Sequence, residues 1–325
     1  SDLLPAGRRT RIRRLASALA AAIESAHDDT SVHAVEATFD ALRAHRFLGP
    51  DARVVGPAHA AVRLVRWLAG ARTAPAENAP TLHDLVRVQV DDRSWADAAI
   101  NEAAVGVADP DLANGIRLVV RAALERRRAQ EREFAAALAT ATAADHPSFG
   151  EGVWPVERLL PEVILPLART APVLLLVMDG MSTGVSTTIL RDAVERLGWV
   201  EAGLPGTTSG KRSAALAVLP SLTEVSRASL LAGGLTRGQQ ATEGADFETV
   251  TTSVGKITGA LFHKKGVDTT EAGFAVNADL DRALSDKKID LVAVVLNTVD
   301  DALDRTPVAA NDNAAAAAEA EPEPP

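Results

Sequence analysis

An aspartate and a threonine occupy positions where a carboxylate and a hydroxyl could act together. Asp179 directly follows the apolar run Val173–Met178, which is typical of a strand buried on both faces of a parallel sheet. Ligands bind at the carboxyl ends of such strands, so Asp179 is placed to bind a divalent cation. Thr223 begins a stretch of helical spacing that closes at Gly233-Gly234, which puts its hydroxyl at the positive end of a helix dipole. That hydroxyl could hold a phosphate, or act as a nucleophile beside a metal ion.

Both features also have a purely structural interpretation. An Asp-Gly pair after a strand is most often a plain turn. Ser221 and Glu224 have the spacing of a capping box, in which the two side chains only satisfy backbone donors at a helix start. Taken singly, each feature favours the structural interpretation.

A second buried strand is predicted at Ile289–Leu296, and aspartates follow it. Asp300 and Asp304 are four residues apart, so on a helix their carboxylates would share a face and could bind one ion. The alternative is an acidic helix start that suits the helix dipole, which accounts for Asp300 but not for Asp304. In the context of the other motifs, the metal interpretation is favoured.

Three segments, VLLLVMDGMS, ALAVLPSLTEVSRASLLAG and LVAVVLNTVDDALD, occur in this order. Together they resemble the PglZ family of BREX phage-resistance systems, a part of the alkaline phosphatase superfamily, and most closely its longer actinobacterial-type members. The resemblance spans residues 153–305. It implies an α/β fold, an alkaline-phosphatase-like open sheet with flanking helices, preceded by an all-α region.

The resemblance also implies a site and an activity. Asp179 and Thr223 would bind a metal ion, with Thr223 also the catalytic nucleophile, and Asp300 and Asp304 would bind a second ion. Both ions are zinc by family analogy. The reaction would be hydrolysis of a phosphate monoester or diester in antiviral defence. Arg227, one helical turn after Thr223, would contact a substrate oxygen, although an arginine there could equally brace the helix.

Alternatives to this hydrolase remain open. The partners implied are other BREX proteins and a phosphate-ester substrate, nucleic acid included. The chain could instead be a non-catalytic scaffold of the BREX complex with an incomplete metal site. A weaker alternative is an unrelated doubly wound domain in which the motifs are coincidental.

The composition limits the chemistry further. The 325 residues are 47% apolar and 24% charged, enough for one or two domains with substantial cores. The absence of cysteine excludes disulfides and thiolate metal sites. A net charge of −9 argues against a surface that coats nucleic acid generally. No run approaches the ~20 apolar residues of a membrane span and no signal peptide is visible, so we expect a cytoplasmic protein.

Three segments divide the chain. Residues 1–150 are predicted to be helical, residues 151–305 to form the PglZ core, and the Ala/Glu/Pro-rich residues 306–325 to be a disordered tail or linker. The boundary falls in the Pro- and Gly-containing stretch 145–155. Because the chain begins at Ser1, we expect a fragment whose N-terminus lies upstream. The later Asp-His pair of the superfamily is absent, so either a continuation after the linker supplies it or the core is incomplete at its C-terminal end.

Several local predictions complete the interpretation. Helices are expected at Val32–Arg46, Ala58–Leu68, Trp95–Glu102, Pro110–Thr140 and Val185–Leu197. The run Arg126–Arg128 has glutamates on both sides, which predicts an exposed helix steadied by i,i+4 pairs. Gly180 and Gly184 would let the chain turn after the first strand. His263 is interpreted as structural and is left out of the site.

Overall fold

The computed structural model describes residues 4–25, 28–45, 52–70, 80–143, 149–204, 212–267 and 276–297. Within these ranges the protein is mixed α/β and mostly helical, as the sequence predicts. The helices are α1 (Pro5–Glu24), α2 (Asp29–Arg43), α3 (Ala52–Ala69), α4 (Leu82–Val88), α5 (Ser94–Ala104), α6 (Pro110–Thr142), α7 (Val156–Leu159), α8 (Leu165–Ala168), α9 (Thr183–Leu197), α10 (Thr223–Ala232), α11 (Gln240–Thr249) and α12 (Ala278–Ser285). The strands are β1 (Val153–Pro155), β2 (Val173–Met178), β3 (Ala214–Leu216), β4 (Gly259–Phe262) and β5 (Leu291–Leu296).

The chain divides into two compact units. The first comprises Ser1–Val153 and Ser182–Ala214, and the second comprises Trp154–Met181 and Ala215–Pro325. The helix α9 therefore groups with the helical N-terminal region, although it lies after the predicted boundary near residue 150. Residues 306–325 lie outside the described residues.

The first unit is built from amphipathic helices around one apolar core. Leu15, Leu19, Leu64 and Leu112 are fully buried in it. The long helix α6 begins as predicted, because Asp109 caps it and accepts hydrogen bonds from the backbone N–H groups of its first turn. Proline at the first position of α6 sacrifices no hydrogen bond there.

The expected i,i+4 pairing of the arginines on α6 is wrong for two of them. Arg126 stacks over the ring of Trp67 at 3.9 Å, and its guanidinium also donates to the Trp67 carbonyl. Burial lowers the pKa of Arg126. Arg127 donates to Asp97 of α5 at 2.6 Å. Both arginines contact neighbouring helices because this part of α6 packs against α3 and α5.

Gly184 also departs from its expected role. Gly180 has the positive φ of 69° that a sharp turn requires. Gly184 instead lies inside α9, which Ser182 caps. A Cβ atom on Gly184 would lie 2.5 Å from the carbonyl oxygen of Ser94, so glycine there permits the close approach of α9 to α5.

The second unit contains a three-stranded parallel sheet in the order β2-β5-β4. Val173 pairs with Leu291 at one end of the β2–β5 ladder and Met178 with Leu296 at the other. The central strand β5 is buried along Leu291–Val295, as predicted. The strands β1 and β3 form a separate two-stranded sheet.

The strand β2 has the predicted bounds, but it is not buried on both faces. Val173, Leu175 and Val177 pack against the core cluster on one side of the sheet. On the other face Leu174 is 46% exposed and Leu176 is 36% exposed. The reason is its place in the described sheet: β2 is an edge strand, and on this face α12 packs on the central strand β5 instead.

Among the described helices, none is both long enough and apolar enough to cross a membrane.

Candidate functional site

The parallel strands of the second unit carry polar side chains at one edge. Asp179 follows β2, His263 follows β4, and Asn297 follows β5. The carboxyl ends of parallel strands meet at the same edge, so this edge is where a ligand site is expected. The backbone N–H of Asp179 donates to the Leu296 carbonyl at 2.9 Å, which continues the β2–β5 ladder to the site itself. The sheet therefore fixes the backbone position of the aspartate.

Helix α10 presents Thr223 to this edge. Thr223 is the first residue of the helix and Leu222 is its N-cap, without a side-chain cap. The capping box of Ser221 and Glu224, the structural alternative for this stretch, therefore does not form. The Glu224 carboxylate accepts a hydrogen bond from Arg237 instead. The exposed hydroxyl Oγ1 of Thr223 lies 3.5 Å from Oδ1 of Asp179.

Arg227, one turn further along α10, contacts two carboxylates. Its Nη1 donates to Asp179 Oδ2 at 2.7 Å, and its Nε donates to Glu243 Oε1 at 2.9 Å. The Arg227 side chain is only 10% exposed, so both ion pairs are largely shielded from solvent. Charge-assisted hydrogen bonds of this length are strong and directional.

Glu243 is the most deeply buried member of the site. It lies in the first turn of α11, and its side chain is 1% exposed. Its second oxygen, Oε2, lies 2.7 Å from Nε2 of His263. The side chains of Asp179, Arg227, Glu243 and His263 thus form a continuous polar chain, which we call the Asp179–His263 chain.

The structure brings together three of the five residues that the sequence marks for the site. Asp179, Thr223 and Arg227 converge, although Asp179 is far from the other two in sequence. Asp300 and Asp304 lie outside the described residues, so their predicted metal binding stays a prediction.

Two members of the site were not predicted from the sequence. His263 directly follows a short strand, a position that places it at the edge where Asp179 lies, and this signal could have found it. Glu243 has no such signal. It lies in a polar stretch without a motif, and only the fold brings its carboxylate to Arg227.

The oxygen atoms of Asp179 and Thr223 fit a small divalent cation. Both are hard donors of the kind that such ions prefer. Tetrahedral zinc with Zn–O bonds of about 2.0–2.2 Å separates two oxygen ligands by about 3.3–3.6 Å, and Oδ1 and Oγ1 are 3.5 Å apart. Within the described ranges, no group of three or more His, Cys, Asp or Glu is arranged to hold a metal ion. Asp179 and Thr223 would therefore be only part of the ligand set of such an ion.

Comparisons with known proteins add no relative: no protein-family model and no curated protein matches the chain.

Proposed function

We propose that this chain carries the metal-dependent, phosphate-ester hydrolase site of a PglZ-type protein in BREX phage defence. One observation carries the proposal: Thr223 Oγ1 and Asp179 Oδ1 lie 3.5 Å apart. Each motif had a structural explanation when taken singly. A plain turn and a capping box give no reason for the two side chains to meet, and the capping box does not form.

The arrangement of the strands supports the same proposal. Asp179 lies at the carboxyl edge of a parallel sheet, and α10 presents its N-terminus there. An alkaline-phosphatase-like open sheet needs this placement of an aspartate and a helix-start nucleophile. The three described strands would form part of that sheet, and the helices beside them would flank it.

Asp179 and Thr223 would hold one divalent ion, and Asp300 and Asp304 are proposed to hold a second. Zinc is the ion implied by family analogy. When bound, such ions lower the pKa of a coordinated hydroxyl or water and neutralise charge that develops on phosphate oxygens.

The proposed reaction uses Thr223 as the nucleophile. Its Oγ1 would form a bond to phosphorus while the bond to the ester oxygen breaks, and the hydroxyl proton would leave with the alcohol product. Water would then cleave the phosphothreonine and restore the hydroxyl. Thr223 suits this role because it is exposed at the start of α10, where the positive end of the helix dipole would favour a bound phosphate. Arg227 remains the proposed substrate contact through Nη2, which takes no part in its two ion pairs.

A second candidate function is the non-catalytic scaffold of a BREX complex. The ion pair between Arg227 and Asp179 favours it, because this internal cation already neutralises the aspartate. In this alternative the same residues stabilise the second unit and no hydrolysis takes place.

Zinc binding and hydrolysis, measured together on the full chain, distinguish the two functions. We would titrate Zn²⁺ by calorimetry and assay p-nitrophenyl phosphate as the monoester and bis(p-nitrophenyl) phosphate as the diester. The hydrolase proposal predicts Zn²⁺ binding that Asp179→Ala removes and turnover that Thr223→Ala removes. Glu162→Gln is the control, because Glu162 belongs to a separate Arg158–Glu162 pair of the same unit.

The scaffold alternative predicts a different outcome. The wild-type chain would neither bind Zn²⁺ nor turn over either ester, and phage protection in a cell with the other BREX proteins would survive Thr223→Ala. Loss of protection in Thr223→Ala, with the protein present at its normal level, would contradict the scaffold.

A further inference from the structure

The buried Glu243 is the residue of the Asp179–His263 chain that the proposed reaction does not use. Its carboxylate is 1% exposed, and a charge so buried is unfavourable unless it is paired and hydrogen-bonded. Both of its oxygens have partners, Arg227 Nε on one and His263 Nε2 on the other. A buried ion pair is often no more stabilising than well-packed apolar residues, so stability alone is a weak reason for this arrangement.

The two contacts of Arg227 indicate a role for its buried ion pair with Glu243. With Nε held by Glu243, the planar guanidinium has a fixed orientation, and its Nη1 is directed at Asp179. Arginine can make both contacts because its donors form a rigid fork, which lysine lacks.

This contact makes the two oxygen atoms of Asp179 unequal. Oδ2 accepts from Arg227 at 2.7 Å, whereas Oδ1 faces Thr223 Oγ1 at 3.5 Å. The rotation of the carboxylate is thereby set by a neighbour. The oxygen on the Thr223 side accepts a long hydrogen bond of 3.5 Å from the Thr223 hydroxyl, which a metal ion bound between the two oxygens would replace. Hydrogen bonds to a ligating carboxylate are the usual means by which a protein orients it for a metal ion.

We propose that Glu243 and His263 are positioning residues for the metal site: they hold Arg227, which turns Asp179 so that Oδ1 faces Thr223. The inference rests on the proposed function as far as the metal ion is concerned. Its first step, the fixing of Arg227 by Glu243 and His263, is independent of any metal. Neither residue touches the reacting atoms.

The first measurement needs no metal. The full chain is labelled with ¹⁵N, and the Nε–H signal of Arg227 is assigned by its loss in Arg227→Lys. We expect a shifted, slowly exchanging signal in the wild type, because this N–H is buried against a carboxylate. Glu243→Gln should move the signal and speed its exchange, and Glu162→Gln should leave it unchanged.

The second measurement is the Zn²⁺ affinity by calorimetry. Replacing such supporting residues typically weakens metal binding about 10- to 100-fold, and we expect a loss of this size in Glu243→Gln. Two variants of His263 form a matched pair that avoids the deeply buried glutamate. His263→Gln retains a side-chain N–H donor towards Glu243 and should keep most of the Zn²⁺ affinity. His263→Leu lacks a donor, and its Zn²⁺ affinity should fall as in Glu243→Gln.

The outcomes separate this inference from the proposed function. A wild-type chain that shows the protected Arg227 signal but binds no Zn²⁺ would count against the hydrolase and support the first step alone. Equal Zn²⁺ affinity in His263→Gln and His263→Leu, with only the melting temperature changed, would overturn the positioning role. So would an Arg227 signal that Glu243→Gln does not affect.

Discussion

Arg227 Nη1 lies 2.7 Å from Asp179 Oδ2, so the aspartate that the sequence marks as a metal ligand already has an internal cation. This contact joins the end of β2 to the second turn of α10. It therefore holds the strand and the helix in the register at which Thr223 faces Oδ1 of the same carboxylate. Asp179 therefore supports the fold as well as the proposed site, whereas Thr223 serves the proposed site alone.

The substitution Thr223→Ala should abolish activity without lowering stability. The Thr223 side chain is exposed and does not cap α10, so we expect the free energy of unfolding to change by no more than about 0.5 kcal/mol. Turnover of both p-nitrophenyl esters should fall to the background rate, because the nucleophile is gone. Urea unfolding and the two assays measure this, with Thr223→Ser as the control that keeps a hydroxyl. Full turnover in Thr223→Ala would exclude Thr223 as the nucleophile.

Asp179→Ala should destabilise the protein, in contrast to Thr223→Ala. Removing one partner of a buried ion pair costs about 3–5 kcal/mol. We expect less here, about 1–3 kcal/mol, because Arg227 keeps its ion pair with Glu243. Asp179→Asn retains an oxygen acceptor for Arg227, so its free energy of unfolding should fall less than that of Asp179→Ala. Urea unfolding without added metal measures both. Equal stability of Asp179→Ala and the wild type would show that the Arg227 contact contributes nothing to the fold.

The sequence predicts those parts of the fold that local signals determine. Val173–Met178 is a strand because an apolar run lies between Pro172 and Asp-Gly, and α6 begins at Pro110 because Asp109 caps it. The helical spacing that begins at Thr223 likewise predicts α10, and Gly233 ends this helix with a positive φ. Each of these signals lies within a few residues of its consequence.

The parts that could not be predicted depend on contacts between distant segments. Glu243 reaches Arg227 only because α11 packs on α10, and no residue near Glu243 indicates this. The grouping of α9 with the first unit depends on the fit of Gly184 against Ser94, a residue far earlier in the sequence. An apolar run also cannot show whether its strand lies at the centre of a sheet or at an edge, which is why the exposure of Leu174 was missed.

Two glycine substitutions should change stability in opposite directions. In Gly184→Ala the new Cβ would lie 2.5 Å from the Ser94 carbonyl oxygen, so α9 or α5 must shift. We expect a loss of about 1–3 kcal/mol, the usual effect of overpacking. Gly244 lies within α11, and a Cβ atom added there would meet no heavy atom within 4 Å. Gly244→Ala should therefore gain about 0.5–1 kcal/mol from helix propensity. Thermal unfolding of both variants measures this, and a stabilised Gly184→Ala would contradict the close contact.

Glu201→Gln should alter how stability depends on pH. The Glu201 carboxylate accepts two hydrogen bonds from Arg212, one of them from Nη2 at 3.0 Å, and this pairing lowers the pKa of Glu201 from its ordinary 4.5. A lowered pKa means that the folded state favours the ionised carboxylate. The pair therefore contributes stability that is fully present above about pH 4.5 and is lost as pH falls through the lowered pKa.

The size of this effect is small because the pair is partly exposed. Solvent screening limits such pairs to about 0.2–1 kcal/mol, and we expect Glu201→Gln to lose that amount at pH 7. The difference from the wild type should shrink towards zero as pH falls below 4.5, since the protonated glutamate no longer forms an ion pair. Arg212 stays charged throughout, because the same pairing raises its already high pKa. Urea unfolding at steps from pH 7 to pH 3 measures the difference, and a value that does not vary with pH would show that the pair has no electrostatic role.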